Sequence, residues 1–203
     1  MQDTTDTVIA NRALQTIGET YRITDLKTDD TSRGRSLRVE YDAARRTVLE
    51  AYPWNFSAGR ASLPEFGTKP AFGDGRYYAL PSDCIKVREI YDVQRTEAWS
   101  VELVGDDIEQ ATKCILIDRA APLNIVYSRD VPRLSLWSEL ALDAFAAKLA
   151  MMVAIPITNK ASVRSDAASL YQMAMANASL QDAQEGSNPM FDTGPWVEAR
   201  GAW

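Results

Sequence analysis

Histidine is missing from the chain altogether. That single absence excludes Ser-His-Asp and Cys-His catalysis, His-ligated zinc and imidazole acid–base work, which together cover most hydrolase designs. Cysteine is nearly as scarce. Cys84 and Cys114 are the two in 203 residues, too few for a disulfide framework, and nothing in the sequence marks a base beside either, so both read as buried structural thiols. A phosphate loop is also lacking: Gly73-Asp74-Gly75 has neither the strand-to-helix setting nor the downstream lysine, and reads as turn chemistry. Asp106, Asp107 and Glu109, after Gly105, match no calcium-loop spacing and read as a solvated hairpin tip, so no metal and no cofactor is expected.

A basic surplus is lacking too. The 28 acidic residues outnumber the 22 basic ones, for a net charge of −6 and a pI near 4.8, the reverse of a dedicated DNA-binding domain. A protein that merely lets DNA pass needs the opposite balance, because a lumen that repels phosphate does not hold the duplex. The opening residues are acidic and polar, unlike the basic, then apolar, start of a secretory signal. The most apolar stretch, residues 140–157, carries Asp143 and Lys148 and ends near Pro156, which suits a buried helix better than a membrane span; no membrane association is expected.

What is present is an ordinary globular composition, 46% hydrophobic and 25% charged. Asp6 can cap a helix over 7–17, with Ile9, Ala13 and Ile17 on its stripe and Gly18 placed to stop it. Thr31 or Ser32 can cap a second, where Leu37, Tyr41, Ala44, Val48 and Ala51 recur until Pro53 ends the run. Between 57 and 130 the pattern changes to short β-type runs at 85–91, 99–104, 114–117 and 123–127, after a loop rich in proline and glycine. Helical character then returns. Ser135 can cap an alanine-rich helix to about residue 154, and Pro156 separates it from a last helix capped by Thr158 or Asn159. That helix carries Val163, Ala167, Leu170, Ala174 and Ala178 on one stripe, and Gly186 ends it. The predicted fold is α+β and mainly α: a helical bundle formed by 1–56 and 131–185, a small antiparallel β region inserted at 57–130, and an extended C-terminal arm over 186–203.

Three groups of residues stand out. Arg33, Arg35, Arg38, Arg45 and Arg46 make the second helix locally basic. Arg38 with Asp42, Asp42 with Arg46 and Arg46 with Glu50 fall at i,i+4, worth about 0.2–0.5 kcal/mol each; what remains points to a subunit interface ahead of a DNA-facing lumen. Tyr52, Trp54 and Phe56, flanking Pro53, are expected to anchor a bundle corner. Met190, Phe191, Trp196 and Trp203, interspersed with Pro189 and Pro195, are large groups on a segment without the periodicity to build its own core, which predicts docking onto a partner.

Ala10-Asn11-Arg12-Ala13-Leu14-Gln15-Thr16-Ile17-Gly18, Ala51-Tyr52-Pro53-Trp54-Asn55-Phe56 and Ala79-Leu80-Pro81-Ser82-Asp83-Cys84, in that order and spacing, resemble the tail tubular protein A family of podovirus head-to-tail adaptors, also called connectors or gatekeepers. The resemblance covers 8–183. It implies a structural virion protein assembled in the host cytoplasm and placed at the head-tail junction as a ring of about twelve copies. The implied partners are the portal protein, a tail nozzle or tube protein, and double-stranded DNA passing through without sequence-specific binding. On this reading the chain is no enzyme, and the arm residues meet the portal or an adjacent subunit. The competing classes are a carboxylate-based cell-wall glycosidase, which needs only two acidic residues across a cleft, and a DNA-binding module, which the acidic charge disfavours.

Overall fold

The computed structural model describes residues 5–91, 97–105 and 107–185. The first helix, α1 (Asp6–Thr16), starts at its predicted cap, one residue earlier than expected. Thr5 holds the extended cap position without a side-chain bond, and Asp6 lies inside the first turn, where its carboxylate accepts the Tyr41 hydroxyl at 3.0 Å. Gly18 terminates it at φ 80°, with the Glu19 N–H on the Leu14 carbonyl and the Gly18 N–H on the Gln15 carbonyl, both at 3.0 Å. That pair of bonds satisfies two carbonyls the helix end would otherwise leave open.

Helix α2 (Ser32–Ala51) is capped by Thr31, whose hydroxyl accepts the Gly34 N–H at 3.1 Å. Leu37, Tyr41, Ala44 and Val48 are buried as their spacing predicts, whereas Ala51, at the last position, is exposed. Helix α3 (Glu139–Thr158) begins later than expected. Residues 134–136 form a 3-10 turn instead, and Ser138, not Ser135, accepts the Ala141 N–H at 3.3 Å. Pro156 sits inside α3 rather than after it. The helix stops at Asn159, in the left-handed region at φ 53°, a conformation asparagine tolerates. Helix α4 (Ala161–Gln184) therefore starts from Lys160 with no side-chain cap, and Thr158 only accepts the Lys160 N–H at 3.2 Å.

Among the described helices α3 is long and apolar enough to cross a membrane by length and composition. It packs against α1, α2 and α4 together, and a helix enclosed on several sides must be apolar around its circumference. Leu142, Phe145, Leu149 and Val153 are at most 1% exposed. Over the described residues the fold is α+β and mainly α, 48% helix against 21% strand.

Six strands lie between α2 and α3: β1 (Ala58–Leu63), β2 (Arg76–Ala79), β3 (Cys84–Ile90), β4 (Trp99–Val104), β5 (Thr112–Ile117) and β6 (Leu123–Arg129). They form two antiparallel sheets, β1-β6-β3 and β2-β5-β4, where a single small sheet was expected. The strands missing from the sequence reading are β1 and β2. The first, Ala-Gly-Arg-Ala-Ser-Leu, is poor in β-formers, and its Gly59 faces Tyr127, whose ring a Cβ would approach within 2.8 Å. The second is only four residues long. Leu63, Ile90 and Ile125 of one sheet and Tyr78, Ile115 and Ile117 of the other share a core separate from that of the helices.

Candidate assembly surfaces

The segment after α2 is where helices and sheet meet. Trp54 is fully buried and its indole N–H reaches back to the Val48 carbonyl at 2.8 Å; Trp137 repeats the device on Val131 at 3.1 Å. Ring contacts run without a gap from Tyr52 through Trp54, Phe56, Trp137 and Phe145 to Tyr41, with centroids 4.9–5.7 Å apart. Burial first, then the Asp6 charge, pushes the Tyr41 phenol up and keeps it a donor. Pro53 stays exposed at the turn. Asn55 anchors the end of α4: its backbone N–H donates to the Asp182 carboxylate at 3.1 Å and its side-chain amide to the Asp182 carbonyl at 2.6 Å.

Two arginines fasten the β region to this corner. Arg88, on β3, donates to the Trp54 carbonyl at 2.6 Å and to the Ser57 and Ser128 hydroxyls, each at 2.8 Å. Burial pulls its pKa down, against the opposing pull of Asp182. Arg45, on α2, grips both carboxylate oxygens of Asp130, just past β6. Burial disfavours its charge, and Asp130 more than compensates, so its pKa stands above the ordinary value. The turn containing Leu80 and Pro81 closes the same joint: Asp83 accepts the Tyr127 hydroxyl at 3.1 Å and pairs with Arg129 at 3.3 Å, and its carbonyl accepts the Asp130 N–H at 2.7 Å.

The basic residues of α2 are thus placed differently from the expectation. Arg45 is 6% exposed, an internal tie rather than a member of an outward basic face. Arg46 pairs with Asp130 at 3.8 Å, and Asp42 pairs with Arg45 at i,i+3 instead of with its i,i+4 neighbours. Arg33 bonds Glu19 at 2.8 Å, Arg35 donates to the Asp30 carbonyl, and Arg38 donates to the Lys27 carbonyl at 2.6 Å. These arginines bind down the connection between α1 and α2. The i,i+4 arithmetic missed this because the partners come from other segments of the chain.

The front motif works in the same way. The Asn11 side-chain amide pairs with both backbone groups of Ile23 at 2.9 Å, and Arg12 bridges to Glu139 and Asp143 on α3. All three segments that carry the family resemblance are therefore joints of the fold.

Catalytic groups do not converge in the described residues. Burial raises the thiol pKa of both Cys84 and Cys114, which makes them poor nucleophiles at neutral pH. A cleft beside β4 is lined by Asp74, Glu97, Trp99 and Asp118. Its Glu97 is held in a two-point ion pair by Arg119, at 2.8 and 3.1 Å. Burial pushes the Asp182 carboxyl up, and that group lies on α4 against Asn55 and not in this cleft. No group of three or more Cys, Asp or Glu positioned for a metal ion occurs among the described residues. Asp107 accepts the Glu109 N–H at 3.1 Å in a local turn, while Asp106 lies outside the described residues.

Exposed apolar side chains gather in two places. On β4, the edge of its sheet, Trp99, Val101 and Leu103 alternate at 41, 38 and 66% exposure; on α4, Leu170, Met173 and Leu180 stand at 42, 57 and 64%. Leu170 was expected on the buried stripe. The inward face of α4 is instead built on Ala167, Ala178 and Asp182. The arm residues Pro189, Met190, Phe191, Pro195, Trp196 and Trp203 lie outside the described residues. No protein-family model matches the chain, and no curated protein does.

Proposed function

We propose that this chain is a structural head-to-tail adaptor of a short-tailed phage, one subunit of a ring of about twelve that joins portal to tail and continues the DNA channel. The observation that carries the reading is the joint architecture. Asn11, Trp54 with Asn55, and Asp83 belong to the three resembling segments, and each ties together parts of the chain far apart in sequence. A resemblance confined to loops or to a surface would say little about fold. One placed on residues that fasten α1 to the connection after it, the end of α2 to α4, and the turn before β3 to β6 speaks to the architecture itself.

The net charge of −6 supports the same role, since a channel must release DNA rather than bind it. Exposed apolar side chains on α4 and β4 offer what contacts with neighbours, portal and nozzle require. Residues 186–203 add the docking arm, through Met190, Phe191, Trp196 and Trp203. The role needs no cofactor, no metal and no membrane.

Mixing the purified chain with the cognate portal and following the mixture by light scattering and electron microscopy tests the proposal. A co-migrating complex with a second ring coaxial with the portal is the expected result; absence of any stable complex overturns it. Reproducible turnover of peptidoglycan, abolished by one carboxylate-to-amide change in a folded protein, would replace it with the glycosidase.

A further inference from the structure

Of the four strands that border the two sheets, three are blunted. β3 is interrupted by register shifts between Cys84 and Lys86 and between Val87 and Glu89. β2 has only four residues and is partly covered by the bridge from Phe66 to Tyr77. β1 carries Gly59 and the charged Arg60. β4 differs: it pairs with β5 over six residues without a bulge and has no strand on its other side among the described residues. Its one charged residue, Glu102, accepts the Tyr77 hydroxyl at 3.0 Å across β5, away from the open side. A regular and largely apolar edge of this kind is a template for a further strand.

Backbone direction fixes what the open side offers. Just past β2, the Leu80 N–H donates to the Lys113 carbonyl at 2.9 Å. Lys113, Ile115 and Ile117 therefore turn their backbone groups toward β2, and Thr112, Cys114 and Leu116 turn theirs toward Val104, Glu102 and Ser100 of β4. The N–H and C=O groups of Trp99, Val101 and Leu103 are left pointing to the open side. Their side chains share the face of Ile117, Ile115 and Lys113, which they directly oppose, and both isoleucines belong to the core of the sheets. The exposed row thus continues that core past its last strand. Beside Trp99, Asp74 and Asp118 are exposed and make no ion pair among the described residues, while the nearby Arg119 is engaged by Glu97.

We infer that the open side of β4 receives an extended segment of another protein as a fourth strand, one with apolar residues at every second position and Lys or Arg toward its C-terminal end. The outward N–H and C=O groups call for backbone partners, which an extended chain supplies. The row of Trp99, Val101 and Leu103 calls for apolar side chains on the same face. Asp74 and Asp118 call for cations at the Trp99 end, which in the antiparallel arrangement meets the C-terminal half of the segment. Lys113, opposite Leu103, disfavours cations at the other end. A second copy of the chain fits less well, because each copy carries −6. That the segment belongs to the portal or the nozzle rests on the adaptor reading; the mode of docking does not.

Fluorescence anisotropy of the full chain with a labelled, acetylated peptide of about ten residues, valine alternating with threonine and ending in two lysines, tests this. Saturable binding with a dissociation constant below about 1 mM is expected. Peptide residues on the core face share the backbone direction of the β4 residues they oppose, so their N–H groups meet β4. N-methylation of the valines should therefore abolish binding to the unchanged protein, and N-methylation of the threonines should not. Val101→Pro removes one outward N–H without touching the β5 ladder and should weaken binding at least about fivefold. Asp74→Asn with Asp118→Asn should weaken it about threefold at low salt. Val39→Ser, at an exposed position of α2 outside every surface described above, should change nothing; circular dichroism melts show whether the variants fold. No saturation up to about 1 mM, equal binding of the two methylated peptides, or equal binding with glutamates in place of the lysines overturns the inference. Sedimentation velocity that shows the chain associating with itself, and Val101→Pro abolishing it, overturns it too, since the occupant is then a second copy. Peptide binding without any complex with portal keeps the edge and removes the adaptor reading; a portal complex without peptide binding does the reverse.

Discussion

Replacing Arg88 tests whether the β region and the helices fold as one unit. In Arg88→Ala three oxygens lose a charged donor: the Trp54 carbonyl and the hydroxyls of Ser57 and Ser128, residues that are at most 2% exposed. Hydrogen bonds to a charged group contribute about 1.5–3 kcal/mol each taken singly, and an unpaired buried acceptor costs about 1–3 kcal/mol. Two effects reduce the sum. Ser57 keeps its own bond to the Trp54 carbonyl at 3.1 Å, and the alanine removes a charge that burial disfavours. A net loss of about 3 kcal/mol is expected, which at 2–4 °C per kcal/mol for a chain of this length lowers the melting temperature by about 6–12 °C. With an m-value near 2–3 kcal/mol/M the urea midpoint falls by about 1 M. Because Arg88 joins the two cores, tryptophan fluorescence and far-UV circular dichroism should coincide for the wild type and separate for the variant. Arg88→Lys should recover little, since one ammonium cannot reproduce the fork that reaches three oxygens. A variant with an unchanged midpoint and coincident transitions would refute the reasoning.

Two carboxylates should give opposite pH dependences. Burial raises the Asp182 pKa, so its protonated form favours the folded state; that contribution is present below its ordinary value of 3.8 and is lost as pH rises through the raised one. Asp182→Asn should therefore gain stability relative to wild type between pH 3 and pH 7, read from urea midpoints at about those pH values. Asp29 is held below its ordinary value by its bonds from Thr31, so its contribution is present above 3.8 and lost as pH falls through the depressed value. Asp29→Asn should accordingly cost more at neutral pH than in acid. Asn11→Ala should cost about 2 kcal/mol by leaving both Ile23 backbone groups without their partner, and hydrogen exchange at the Ile23 amide should accelerate while that at Leu149 follows only global stability.

Legibility followed the range of the interactions. Helix α2 was readable because its cap, stripe and stop all lie within one segment: Thr31, the 37–48 spacing and Pro53. The start of α3 was not, because Ser135 and Ser138 are both sound caps, and the choice depends on Trp137, whose indole reaches Val131 and sits over a 3-10 turn. Pro156 reads as a helix stop, yet the stop is Asn159, whose left-handed backbone has no unique sequence signature. Strands β1 and β2 lack the β-branched run that marks a strand; pairing with β6 and β5 supplies what propensity does not. Arg45 shows the limit for the site. It was read as part of the locally basic face of α2, whereas its partner Asp130 lies 85 residues away. The charge-free run at 167–181 was in the sequence throughout, but only the exposure of Leu170, Met173 and Leu180 distinguishes an outward face from a second buried one.

Placing arginines at the internal joints has a consequence for the surface. Arg45 and Arg88 are spent inside the subunit, and Arg12, Arg33 and Arg38 are occupied by carboxylates or carbonyls of their own chain. Cations that might otherwise pair with phosphate are thereby engaged in holding the fold, in a chain whose net charge is −6. On the adaptor reading that acidic balance keeps passing DNA from being held, and exposed apolar side chains such as Leu170, Met173 and Leu180 can make contacts without adding cations.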